Sequence, residues 1–202
     1  MRMMLGLAVA AMIAAPAHTF AQGKESIAIG TSLPAASEKM KSVDGKNITL
    51  SGANKEGLVV MFSCNTCPYV VKSQARTKEV MNYAKEKGVG MVIINSNEAK
   101  RGDDDSYDAM KKYAKAQGYD VPYVVDEKSK VADAFGANRT PEVFLFDKSG
   151  KLVYKGAMED NPSSPSESRE LYLRDAIDQM LAGKPVHTNT TKSVGCTIKR
   201  LP

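Results

Sequence analysis

Two cysteines in the stretch FSCNTCPYV, at residues 62–70, constrain the fold of this chain more than any other feature. The apolar run GLVVMFS at residues 57–63 leads into the pair and has the length and composition of a buried β-strand. Pro68 follows the second cysteine and suits the first turn of a helix, where its missing N–H is not needed. Apolar residues then recur at helical spacing over residues 68–87, before Gly88 as a C-terminal cap. The sequence predicts a C-x-x-C motif between a buried strand and a helix.

This position favours thiolate chemistry at the first cysteine. The unpaired N–H groups and the positive dipole end of a helix stabilise a nearby anion, and the thiolate is the attacking species in disulfide exchange. We therefore expect Cys64 to be an exposed nucleophile and Cys67, one turn into the helix, to be a buried resolving thiol. The i, i+3 spacing brings both sulfurs onto one face, where they can form a disulfide.

Strand and helix patterns alternate along the rest of the chain. Strand candidates lie at residues 27–29, 47–50, 90–96, 122–126, 142–147 and 151–156, and helix candidates at residues 105–117, 130–135 and from a capping box at 164–167 to about 182. This order predicts an α/β domain with a mixed central sheet flanked by helices. The predicted domain spans residues 22–183, and the tail, residues 184–202, is expected to be irregular.

The N-terminal 21 residues have the layout of a cleaved secretory signal peptide. Arg2 precedes an apolar stretch from Leu5 to Ala15, and small residues lead to a cleavage site near Ala21. The apolar stretch is too short to cross a bilayer as a stop-transfer helix, so we expect an exported protein, periplasmic or secreted, that does not span the membrane. The net charge of +5 is spread over interspersed acidic and basic residues such as RGDDDSYDAMKKYAK, a solvated surface that gives nucleic-acid binding little support.

Export changes the redox setting of the three cysteines. In an oxidising compartment a C-x-x-C pair is a disulfide unless a donor reduces it. An odd number of cysteines leaves at least one thiol without an intrachain partner, and Cys196 in the tail is the candidate auxiliary thiol. A resting free thiol, a third redox partner beside the pair and a site of intermolecular bonding all remain open for Cys196.

Several separated motifs resemble the thioredoxin superfamily and, more narrowly, its exported peroxiredoxin-like branch, the redoxins, with a C-x-x-C active site. They are CPYV, YVVDE, GANRTPEVFLFDKSGKLVYKGAMEDN, LRDAIDQMLAGKPV and VGCTIK, which agree in order over about residues 30–200. The resemblance implies a thioredoxin-like fold. It also implies that Pro141 is a cis proline opposite the cysteines and that Thr140 presents backbone groups to a docked substrate strand.

The chain departs from thioredoxin in one respect that bears on proton transfer. Thioredoxin carries a buried acid on the strand before its cysteine pair, whereas residues 57–63 contain none to accept the proton of Cys67. Glu142, directly after the proline, is the proposed substitute, against an ordinary role as a solvent-facing charge. Arg139 can stabilise a Cys64 thiolate by its charge, against an ordinary surface role.

Three hypotheses for function follow. The main one is an exported thiol–disulfide oxidoreductase that exchanges thiols and disulfides of proteins or small molecules through Cys64 and Cys67, with a redox donor that the sequence does not identify. The first alternative is a thiol-dependent peroxidase, although the P-x-x-x-T-x-x-C frame of peroxiredoxins is absent at both cysteines. The second is a metal-binding protein that uses Cys64, Cys67 and Cys196 with His187, at a spacing that matches zinc sites weakly. The sequence implies no metal, nucleotide or flavin cofactor.

Overall fold

A computed structural model describes residues 24–202; the predicted signal peptide and its cleavage site lie outside the described residues. The strands are β1 (Met40–Lys41), β2 (Asn47–Ile48), β3 (Gly57–Ser63), β4 (Gly90–Asn95), β5 (Tyr123–Val125), β6 (Arg139–Thr140), β7 (Glu142–Asp147), β8 (Leu152–Gly156) and β9 (Cys196–Thr197). The helices are α1 (Leu50–Ala53), α2 (Pro68–Lys72), α3 (Gln74–Glu86), α4 (Tyr107–Gln117), α5 (Lys130–Phe135) and α6 (Tyr172–Leu181). Over the described range, the helices are too short or too polar to cross a bilayer.

A five-stranded mixed sheet lies at the centre, in the order β5-β4-β3-β7-β8. Strands β3, β4 and β5 are parallel, whereas β7 pairs antiparallel with β3, and β8 antiparallel with β7. All residues of β3 and β4 are buried, as expected of central strands that are covered on both faces. The predicted α/β class with a mixed sheet is confirmed.

Alternate residues of the sheet face two separate cores. Val59 and Met61 pack with apolar residues of α3, α4 and α6 on one side. Val60 and Phe62 pack with α1 and α5 on the other. On this second side, edge-to-face aromatic contacts join Phe62, Phe135, Phe144 and Phe146, with ring centroids 5.2–5.7 Å apart. The two cores fix the sheet and hence the end of β3, where the cysteine pair begins.

Local backbone changes explain three differences from the sequence prediction. The helix predicted over residues 68–87 divides into α2 and α3 because Ser73 leaves helical geometry, with a ψ of 6°. Residues 27–29 form no strand; the N–H of Ile27 donates instead to the carbonyl of Phe135 over 3.1 Å. The strand predicted to reach Leu50 ends early, because the hydroxyl of Thr49 accepts the Gly52 N–H and begins α1.

The predicted capping box does not begin the last helix. Pro165–Glu167 form a short 3₁₀ turn, and the Ser164 side chain makes no capping hydrogen bond. Ser168 then adopts an extended conformation, with a ψ of 134°. The α-helix starts only at Tyr172, so the favourable local pattern gives one turn rather than a continuous helix.

The tail after α6 returns across the end of the sheet that carries the cysteines. The N–H of Thr191 donates to the carbonyl of Lys155 over 3.0 Å. Farther on, β9 pairs antiparallel with β6, so that Cys196 lies opposite Thr140. Ile198 is buried in the core shared with α5. The tail therefore contains a short strand, formed by contacts with residues distant in sequence.

Phe144→Ala tests the aromatic core. Phe144 is fully buried and contacts Phe62 and Phe135, so we expect the free energy of unfolding to fall by about 3–5 kcal/mol in urea titrations. Leu181→Ala is the control, because Leu181 is 38% exposed. Equal losses from the two substitutions would contradict the assignment of the core.

Candidate active site

Strand register places the cysteine pair beside the loop before β7. Phe62 pairs with Glu142, so the chain leaves β3 next to the segment that precedes Glu142. The Thr140–Pro141 peptide bond in that segment is cis, as the resemblance implies. Cys64 follows directly after β3, and Cys67 is the N-cap residue of α2. The predicted strand–helix junction is thus present, with the proline loop opposite it.

Thr140 contacts all three cysteines. Its hydroxyl oxygen lies 3.4 Å from the sulfur of Cys64, and its carbonyl oxygen lies 3.2 Å from the sulfur of Cys67. Its backbone is the register partner of Cys196 in the β6–β9 pair. One buried residue therefore aligns the two sulfurs of the motif with the thiol of the tail.

The cysteine pair is less accessible than the sequence predicts. The sequence predicts an exposed Cys64, but this residue is only 2% exposed, and Cys67 is 4% exposed. Both pack with Val70, and partly buried Tyr69 and Cys196 lie against this group. The difference arises because the tail covers the end of the sheet, a contact that no local pattern reveals. All three cysteines are free thiols in the structure.

Hydrogen bonds favour the thiolate at Cys67. The pKa of Cys67 is lowered to about 4, and the chief cause is a hydrogen bond from the Cys64 thiol. The thiol of Cys196 and the backbone N–H groups of Val70 and Cys196 lower it further. Burial and the nearby carbonyl of Thr140 act in the opposite direction, since both favour the neutral thiol. The donors outnumber this single carbonyl, so the net effect is a lowered pKa.

The other two thiols keep their protons. The hydrogen bond to Cys67, together with burial, raises the pKa of Cys64 far above its ordinary value, and the charge of Asp105 adds to this effect. Burial raises the pKa of Cys196 to about 11, helped by the hydrogen bond to Cys67. Within this pair of neighbouring thiols, the contacts favour a thiolate on the second cysteine of the motif, whereas the sequence predicts it on the first.

Arg139 and Glu142 lie on the two sides of the Thr140–Pro141 bond. The guanidinium of Arg139 donates to the hydroxyl of Thr197 over 3.1 Å and is exposed, so its contacts are with the tail strand. The carboxylate of Glu142 accepts the N–H groups of Asn138 and Arg139 over 2.8 and 3.1 Å and the hydroxyl of Ser193 over 3.2 Å. These bonds tie the proline loop to the tail; a proton-transfer role for Glu142 stays a prediction.

A buried carboxylate that the sequence analysis missed supports the motif from behind. Asp105 is fully buried, and one carboxylate oxygen accepts the backbone N–H of Asn65, the residue after Cys64, over 2.9 Å. The amides of Asn95 and Asn97 donate to the same carboxylate over 2.7 and 2.9 Å. Asp105 thus fixes the backbone inside the C-x-x-C loop and supplies a negative charge near Cys64.

Tyr123 completes this network. Its hydroxyl donates to the side-chain oxygen of Asn65 over 2.9 Å and accepts from the amide of Asn95 over 3.0 Å. Burial raises the pKa of Tyr123 well above its ordinary value, so the hydroxyl stays a donor. The acidic run RGDDDSYD has the composition of a solvated surface, and Asp103 and Asp104 are indeed exposed. Asp105 is buried only because of the tertiary fold.

The three cysteines pack together without forming a metal centre. Among residues 24–202, no group of three or more His, Cys, Asp or Glu side chains has an arrangement that can hold a metal ion. His187 contacts α6, where its backbone N–H donates to the side chain of Gln179 over 2.8 Å. The geometry gives the predicted zinc alternative no support.

The fold and the paired thiols define a thioredoxin-like dithiol protein. Comparison with known proteins agrees, because the redoxin family profile matches residues 28–171. The chain belongs to the redoxin family. Among curated proteins, it is 27% identical over 134 residues to the thiol-disulfide oxidoreductase ResA of Bacillus thuringiensis, a match that covers 66% of this chain and 72% of the relative.

Solved structures of similar proteins show the same fold over nearly the whole chain. A conserved protein from Geobacillus kaustophilus is 35% identical with a TM-score of 0.80, covering 89% of this chain and 95% of that one. Protein SMc02350 from Sinorhizobium meliloti is 32% identical with a TM-score of 0.77, covering 88% and 97%. The predicted membership of the thioredoxin superfamily is confirmed.

Asp105→Asn tests the buried carboxylate. An amide nitrogen facing the donors of Asn65, Asn95 and Asn97 leaves buried groups unpaired, so the free energy of unfolding should fall by about 1–3 kcal/mol. Removal of the charge should also lower the pKa of Cys64, measured by thiolate absorbance against pH. Asp104→Asn removes the same charge at an exposed position and should change neither quantity. Equal behaviour of the two variants would contradict the assigned role.

Proposed function

We propose that this protein is a thiol–disulfide oxidoreductase that cycles Cys64 and Cys67 between dithiol and disulfide. The observation that carries the proposal is the pair of sulfurs at the end of β3, each within hydrogen-bond distance of Thr140 beside the cis proline. Membership of the redoxin family and similarity to proteins named thiol-disulfide oxidoreductase ResA support the same class.

The reaction conserves one disulfide bond. A thiolate of the pair attacks one sulfur of a substrate disulfide, which forms a mixed disulfide and releases the other substrate sulfur as a thiolate. The second cysteine of the pair then displaces the bound substrate, closes the Cys64–Cys67 disulfide and leaves the substrate as a dithiol. The two electrons come from the pair, and an external dithiol must restore them. The reverse sequence oxidises a substrate dithiol.

The charge on Cys67 bears on which sulfur attacks first. The sequence prediction assigns the attack to Cys64, whose proton is held in the present arrangement by the hydrogen bond to Cys67. Transfer of that proton to the Cys67 sulfur would make Cys64 the thiolate without a change in net charge. We propose that substrate docking at Thr140 and Pro141 drives this transfer.

Substrate class and location are the finer parts of the proposal. Thr140 lies on strand β6, which would suit pairing with an extended polypeptide that carries a disulfide once β9 is displaced from it. The N-terminal sequence pattern supports export, which places the enzyme in the periplasm or outside the cell, where disulfides persist unless a donor reduces them.

Insulin-disulfide reduction with dithiothreitol as donor tests the activity. We expect the wild-type protein to accelerate reduction, and Cys64→Ser and Cys67→Ser each to return the rate to that of dithiothreitol alone, because both sulfurs are needed for a complete cycle. Asp104→Asn should keep the wild-type rate. Hydrogen-peroxide consumption by the same protein is measured in parallel. Rapid consumption of peroxide without reduction of insulin would overturn the proposal in favour of a peroxidase.

A further inference from the structure

The tail strand occupies the position that the proposed function reserves for a substrate. Thr140 is the residue expected to pair with a docked substrate strand, yet its antiparallel partner here is Cys196 of β9. The protein therefore places its own cysteine-bearing strand against its active site.

The close approach of this strand depends on Gly195. A Cβ atom at this position would lie 2.1 Å from the carbonyl oxygen of Thr140 and 2.7 Å from its carbonyl carbon, far inside van der Waals contact. Only a residue without a side chain permits this approach unless the backbone shifts. The sequence VGC thus combines a close backbone contact with a cysteine at the next residue.

Anchors on both sides hold Cys196 in place. Before it, the hydroxyl of Thr191 accepts the N–H of Ala157 over 2.9 Å. After it, Ile198 is 3% exposed, and the N–H of Lys199 donates to the side chain of Asn97 over 2.9 Å. Asn97 also bonds to Asp105, so the network behind the C-x-x-C motif continues into the tail.

The sulfur of Cys67 faces Cys196 as well as Cys64. Cys196 packs against the buried group formed by Cys64, Cys67 and Val70. The Cys67 sulfur lies 3.2 Å from the carbonyl oxygen of Thr140, the residue that pairs with Cys196 in the β6–β9 ladder. Cys67 therefore lies in one packed group with both Cys64 and Cys196.

We infer that Cys196 is a third redox thiol, which exchanges into the active-site pair to form a Cys67–Cys196 disulfide. This step rests on the proposed function, because the substrate disulfide first oxidises the pair. The Cys196 thiolate then attacks the Cys67 sulfur, the Cys67–Cys196 bond forms, and the Cys64–Cys67 bond breaks. Cys64 leaves as a thiolate and takes up the proton that Cys196 has lost, so the exchange needs no further oxidant.

The exchange has two consequences. It carries the disulfide from a buried position to a half-buried cysteine, where a reducing dithiol meets it more easily. It also ties the tail covalently across the substrate position, so an oxidised enzyme does not accept a second substrate before reduction. Reduction of the Cys67–Cys196 bond then restores the starting dithiol.

Disulfide mapping tests the inference. The reduced protein is oxidised with one equivalent of oxidised dithiothreitol or insulin, its free thiols are blocked, and it is cleaved with trypsin. Cys64 and Cys67 share the peptide of residues 56–72, whereas Cys196 lies in residues 193–199. We expect the cross-linked pair of peptides in wild type, and its loss in both Cys67→Ser and Cys64→Ser, because neither variant can form the Cys64–Cys67 disulfide that Cys196 attacks. A cross-link that persists in Cys67→Ser would overturn the choice of sulfur.

The failure of this inference and that of the proposed function give different results. If the wild type reduces insulin and closes the internal bond of peptide 56–72, but does not link to peptide 193–199, the third thiol is excluded while the oxidoreductase stands. If the wild type neither reduces insulin nor forms any of these bonds, the proposed function itself fails.

Gly195→Ala tests the docked strand without altering a cysteine. The new methyl group should push the strand from Thr140, so the reaction rate of the reduced pair with a small aromatic disulfide should rise by about tenfold. The yield of cross-linked peptide should fall. Gly102→Ala is the matched control, because a Cβ there meets nothing within 4 Å. Equal rates and equal cross-linking in the two variants would contradict the inference.

Discussion

The contacts of Thr140 organise the active end of this protein. Its hydroxyl contacts the sulfur of Cys64, and its carbonyl contacts the sulfur of Cys67. In the β6–β9 pair it lies opposite Cys196. Because the sulfurs share one small buried volume, a proton or a bond can pass between them with little movement of the chain. The central sheet supplies the rigidity, since β3 and β7 are fixed between two cores before either reaches the site.

A buried acid still accompanies the thiol pair, but from another part of the chain. Thioredoxin places its acid on the strand before the cysteines, whereas here Asp105 precedes α4 and acts on the backbone of Asn65. Its three N–H donors compensate part of the cost of burying a charge. The remaining negative field disfavours a thiolate at Cys64 and so helps to leave the charge on Cys67.

Much of the fold follows from local sequence patterns. The sequence predicts strands β3, β4 and β7 from their apolar runs, and helices α4 and α5 from their helical spacing. Each of these elements has a strong local pattern of its own. The cis bond at Pro141 came from resemblance, since spacing alone indicates only a loop.

The strand in the tail and the hydrogen-bond network around Asp105 could not be predicted from the sequence, for two physical reasons. The pairing of β9 with β6 depends on a backbone approach at Gly195 between residues far apart in sequence. The inward turn of Asp105 depends on three donors from two other segments, so its exposed acidic neighbours in the sequence conceal it. The sequence predicts the thiolate on Cys64 because these contacts, and those of Cys196, join residues far apart in the chain and leave no local pattern.

The central claim is that the reduced site holds its negative charge on Cys67 and keeps Cys64 protonated. The most direct test follows the NMR chemical shift of the Cβ carbon of each cysteine as pH is varied. The account predicts that Cys67 titrates with a pKa of about 4 and that Cys64 shows no titration near neutral pH. A titration in which Cys64 loses its proton first, or in which both thiols keep the ordinary pKa of about 9, would contradict it.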